Sequence, residues 1–84
     1  MNVMAKAESD ASVLKAITRL VHEEQKLYGH ESLDDSAMVR LDEIKVELDQ
    51  CWDLLRQRRA LREFGDDPNR AKVRPASVVE KYEQ

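Results

Sequence analysis

The sequence predicts an all-α protein: an antiparallel two-helix hairpin with a long second helix and a mostly extended C-terminal tail, assembling into a helical-bundle dimer. Three observations predict it. Only 2 glycines and 2 prolines occur in 84 residues, too few for the many turns of a β-sandwich or barrel. Along two long stretches the apolar residues recur at spacings of three and four, the period of a helix face rather than of a strand. Only about four residues separate the two stretches, and so short a connection makes antiparallel neighbours.

Residues 1–9 read as a flexible lead-in. Asp10 or Ser12 then offers an N-cap, because a short oxygen-bearing side chain accepts from the free amides of a first turn. Beyond it Leu14, Ile17, Val21 and Tyr28 share one face, with Val13, Leu20 and Leu27 beside them. The combined stripe is about 140° wide, broader than a two-helix seam needs. Gly29 is expected to end this helix, at about 10–28, in the left-handed conformation.

The second helix is expected at about 33–64. Ser32 and Asp35 have the spacing of a capping box, in which two side chains satisfy each other's end amides. Ala37, Leu41, Ile44, Leu48, Cys51 and Leu55 follow at alternating spacings of four and three, uninterrupted until Gly65 and Pro68. Folding the hairpin on its apolar residues alone sets Tyr28 near Leu33, Val21 near Leu41, Ile17 near Ile44 and Leu14 near Leu48. Helix 1 then ends level with Cys51 and Trp52, so residues 53–64 overhang.

The overhang changes character. Its inward stripe runs on into Arg59 and Arg62, with Arg58 close by, while Val39, Val46, Leu54, Leu61 and Phe64 form a second apolar row. A helix with two apolar faces has two neighbours. The second neighbour is another copy of the chain, the lead-in, or the tail. That tail, residues 65–84, opens with a Pro68 turn, and Ser77-Val78-Val79-Glu80 suggests a short helical turn near 77–82.

Net charge is −3, but residues 1–53 sum to −6 and residues 54–75 to +4. The acidic balance argues against wholesale attraction to phosphate backbones. One cysteine excludes an internal disulfide framework and multi-cysteine zinc sites, and the N-terminus lacks the apolar core of a secretory signal. No apolar run approaches the roughly 20 residues of a membrane span. The expected setting is cytoplasmic, with no membrane partner.

Catalytic constellations are sparse. His22-Glu23-Glu24 would need a second histidine at position 26 to face a helical zinc site, and Lys26 stands there. Cys51 sits in the apolar stripe, where a thiol packs as a small hydrophobe. Asp49 and Asp53 share a helical face, but Arg56, Gln50 and Gln57 around them suggest a salt-bridge ladder rather than acid–base chemistry. Neither enzyme activity, cofactor nor metal is implied. The arginine group Arg56, Arg58, Arg59 and Arg62, followed by Arg70, Lys72 and Arg74, is the feature with a functional look. Guanidinium forks suit phosphates and carboxylates alike.

The segment Leu48-Asp49-Gln50-Cys51-Trp52-Asp53-Leu54-Leu55-Arg56-Gln57-Arg58-Arg59-Ala60-Leu61-Arg62-Glu63 resembles the signature of a small actinobacterial family, catalogued as domain of unknown function 2630. Downstream, Asp67-Pro68, Val73-Arg74-Pro75 and Val78-Val79-Glu80-Lys81-Tyr82 resemble its closing segment. The likeness covers about residues 10–82, and the loop Gly29 to Asp35 departs from the family pattern. It implies an all-helical cytosolic protein of unassigned activity and transfers no functional residue. A signature centred on residues 48–64 points to a working surface there, since Trp and Arg dominate binding hot spots. The expectation is therefore a non-enzymatic interaction module, self-associating as a homodimer through the second helix. Trp52, Leu54, Leu55, Leu61 and Phe64 would supply apolar contact, and Arg58, Arg59 and Arg62 would pair with acids across it. An acidic protein partner is a further candidate. The alternative is a nucleic-acid-binding protein using Arg56, Arg58, Arg59, Arg62 and Arg74, which the overall acidity disfavours.

Overall fold

The computed structural model describes residues 9–29 and 34–81. Two long helices, α1 (Asp10–Tyr28) and α2 (Asp35–Glu63), pack against each other. A 3-10 turn at Pro68–Arg70, an extended stretch over 71–75 and a short helix α3 (Ala76–Lys81) follow. No strand occurs among the described residues.

Each helix end has a local cause. The cap of α1 is Ser9, one residue before Asp10 and three before Ser12. Its hydroxyl oxygen accepts from the Ser12 amide at 3.1 Å, while the Ser12 hydroxyl oxygen accepts from the Ser9 amide at 2.9 Å. Two serines thus close a reciprocal box that the usual pattern completes with Glu or Gln. Asp34 caps α2, its carboxylate accepting from the Ala37 amide at 2.8 Å. Ser32, Leu33 and Tyr82 of the expected motifs lie outside the described residues. Gly29 corrects a prediction: its φ is −76°, so α1 closes without a left-handed residue. The left-handed position is Gly65, at φ +77°. There the Gly65 amide donates to Arg62 O and the Asp66 amide to Leu61 O, the paired bonds that cap a helix through a left-handed glycine.

Two cross-helix ion pairs fix direction and register. Asp10 meets Arg58 at 2.7 Å and Glu23 meets Arg40 at 2.6 Å, so α1 and α2 run antiparallel. Interpolating between these crossings sets Leu14 level with Trp52 and Ile17 level with Leu48. The expected register is corrected by about one turn. It was built on apolar pairs alone, whereas the Asp10 carboxylate draws the first turn of α1 along to Arg58 and Arg62. Residues 53–58 accordingly do not overhang.

The core is narrow. Val13, Ile17 and Leu54 cluster with Ala71, and Val21, Leu48, Cys51, Leu55 and Leu61 pack around them. Ile44 and Val79 are fully buried. Leu14, expected to point inward, is 47% exposed. The second neighbour of α2 is the chain's own tail: the 3-10 turn and α3 both pack against α2.

Candidate interaction surface

The seat for the tail is polar and built from one flank of α2. Gln50, Asp53 and Gln57 follow at spacings of three and four, so they stand in a row. The Gln57 amide grips the backbone of Lys72 twice, donating from Nε2 to its carbonyl at 2.8 Å and accepting at Oε1 from its amide at 3.3 Å. Gln50 Nε2 donates to the carbonyl of Arg74 at 3.1 Å. An extended segment with no sheet beside it therefore has backbone groups of Lys72 and Arg74 answered by side chains. The Arg74 guanidinium in turn forks onto Asp53, through Nε to Oδ2 and Nη2 to Oδ1.

Asp53 is only 2% exposed, and Gln57 donates to it as well at 2.8 Å. The Arg74 guanidinium holds its carboxyl below the usual carboxylate range, against a burial effect of opposite sign. Arg58, buried to 6% exposure, is the second anchor. It donates to Asp10 Oδ1, to Pro68 O and to Asn69 Oδ1, tying the start of α1 and the 3-10 turn to the end of α2. The Asp10 carboxyl is likewise held down, chiefly by the Arg58 hydrogen bond. No buried side-chain nitrogen or oxygen among the described residues lacks a partner.

The residues singled out from the sequence divide sharply. Leu54 is 4% exposed, and Leu55 and Leu61 are half-buried against the core. Arg58 and Arg62 both bind Asp10 of their own chain rather than standing free for an acid across an interface. Trp52 (45%) and Phe64 (87%) are exposed, as is Arg59. The pairing of Asp53 with Arg74 went unanticipated because 21 residues separate them, beyond any helical spacing. Its one legible trace was the Gln50-Asp53-Gln57 row, too rich in neutral amides for a salt-bridge ladder.

Helical phase shows what the tail leaves open. At about 100° per residue, Trp52 stands well round the helix from Gln50, Asp53 and Gln57. Leu14 is offset in the same way from Val13, whose side faces Ala71 of the tail. Exposed Leu14, Met38 and Trp52 therefore lie on the flank of the hairpin opposite the tail, with half-buried Val21 and Leu48 between them. Beside Leu14 an open groove on α1 is lined by Ala11, Lys15, Thr18, Arg19 and His22. Among the described residues no three His, Cys, Asp or Glu side chains gather as a metal site, and no helix is long and apolar enough to cross a membrane.

The family of proteins of unknown function DUF2630 matches residues 9–84. The chain belongs to this family. An uncharacterized protein of Mycobacterium bovis is 50% identical over 78 residues, covering 88% of this chain and 90% of its own. Uncharacterized proteins from two Mycobacterium tuberculosis strains align with the same identity and coverage. No solved structure matches. Within the family's resemblance motifs, the signature Gln50, Asp53, Gln57 and Arg58 grip the closing segment around Pro68 and Arg74. Two separated motifs are thus the two halves of one intramolecular contact.

Proposed function

We propose that this protein is a non-catalytic helical interaction module that self-associates through its second helix, in a cytosolic setting. The observation that carries the reading is the open flank, where Leu14, Met38 and Trp52 stand 47%, 51% and 45% exposed along one side of the hairpin. Three large apolar side chains left exposed along one side of so small a hairpin support an association site there. Trp52 supplies the large, stiff side chain that such contacts favour. The cytosol suits a chain whose single cysteine, Cys51, is half-buried and packed against the core.

A phosphate-binding reading has less support. Of its five arginines, Arg58 and Arg62 hold Asp10, and Arg74 holds Asp53. Only Arg56 and Arg59 keep an exposed guanidinium outside the ion pairs of the described residues.

Sedimentation equilibrium across low to high micromolar concentration tests the proposal. The expected result is a dimer whose dissociation constant rises about tenfold or more in Trp52→Ser, as loss of a central aromatic contact does. A strictly monomeric wild type at high micromolar concentration would sink it.

A further inference from the structure

The exposed flank of α2 carries an ordered charge pattern. Asp35, Met38, Asp42, Lys45, Asp49, Trp52, Arg56 and Arg59 recur at spacings of three and four, and all are exposed except half-buried Asp49. Its outer acids stand at the start of the helix and its arginines toward the end. Asp35, Asp42, Arg56 and Arg59 take part in no ion pair among the described residues. Reversed end for end, the row sets acids against arginines at its outer positions, while Asp49 meets its own twin at the centre, one helical turn from Lys45.

We infer that the occupant of the open flank is a second copy docked antiparallel, α2 against α2, about a two-fold axis crossing near Leu48. This rests on the self-association proposed above. In that orientation Asp42 of each copy faces Arg56 of the other, and Asp35 comes within a turn of Arg59. Lys45 approaches the face of the opposite indole, a cation–π arrangement. Trp52 and Met38 fill the space between the charged pairs. A parallel pairing sets Arg56 against Arg56 and Asp42 against Asp42, so the pattern favours one orientation and penalises the other. Two-fold symmetry also closes the contact, so that this flank recruits no third copy. The same polarity exists at the scale of the chain, with −6 over residues 1–53 and +4 over residues 54–75.

Cysteine cross-linking in a Cys51→Ser background tests the orientation. Asp49→Cys, beside the axis, should form a disulfide dimer with its own twin. Asp42→Cys and Arg56→Cys should each cross-link poorly alone and readily when the two variants are mixed. Equal self-cross-linking at all three positions would establish parallel pairing and overturn the inference. A dimer by sedimentation with no cross-link at any of them would place the interface elsewhere, leaving self-association intact. A monomer would remove both readings together. Charge reversal gives an independent measure with these exposed residues: Arg56→Glu should weaken dimerisation about tenfold, and adding Asp42→Arg should restore it. Failure of the second change to restore association, with helicity unchanged by circular dichroism, also overturns the inference.

Discussion

The two flanks of the hairpin answer the same physical problem in different ways. Two helices alone bury little apolar surface, because most of each cylinder still faces water. On one flank the chain supplies its own third layer: Ala71 and Val79 bury apolar area, while Gln50, Asp53, Gln57 and Arg58 bind the tail's polar groups. On the other flank Leu14, Met38 and Trp52 stay exposed beside charges that enter no ion pair among the described residues. The covered flank is specified by hydrogen bonds to a fixed segment and belongs to stability. The open flank is specified by apolar shape and charge order, which fits it for a second molecule.

The largest test of that contrast is Arg58→Ala. Removing a buried guanidinium strands Pro68 O and Asn69 and leaves Asp10 to Arg62 alone, and should lower unfolding free energy by about 3 kcal/mol in chemical denaturation. A loss near zero would show that the tail flank does not carry the fold.

Asp53→Asn should cost less, about 2 kcal/mol, since Arg74 is 40% exposed and can turn to water when its partner loses charge. The same group sets a pH dependence. Asp53 and Asp10 have carboxyls held below their unfolded value of 3.8. Their stabilisation is complete above that value and is lost as pH falls through the lower folded values. Stability should therefore drop below about pH 4, and Asp53→Asn should flatten the drop. An unchanged acid profile in the variant would remove Asp53 from the account.

The smallest expected effect on the fold sharpens the comparison most. Leu14→Ser and Trp52→Ser should alter monomer stability by no more than about 0.5 kcal/mol, the range of exposed substitutions, while weakening association. Thermal unfolding at low micromolar concentration, set beside sedimentation, separates the two. A large loss of monomer stability would mean that the open flank is core.

Much of the hairpin was legible before any coordinates. The apolar spacings of α1 and α2 depend on backbone period alone, so they announce themselves in sequence. The interaction residues were read less completely. Leu54 and Leu61 leave the face toward α1, and the tail that covers them lies far along the chain. Arg58 falls beyond α1 in a register built on apolar pairs alone, and in fact meets Asp10. Trp52 and Arg59 are exposed.

By itself, then, the sequence determined two helices, their antiparallel hairpin, and a polarity of charge along the second helix, all set by local spacing and chain reach. Only the tertiary structure decided which flank the tail covers and how far α1 slides along α2. Those choices depend on Asp10 meeting Arg58 and Asp53 meeting Arg74. Such pairs join residues distant in the chain, and nothing in local spacing distinguishes them from the other acids and arginines of so charged a molecule.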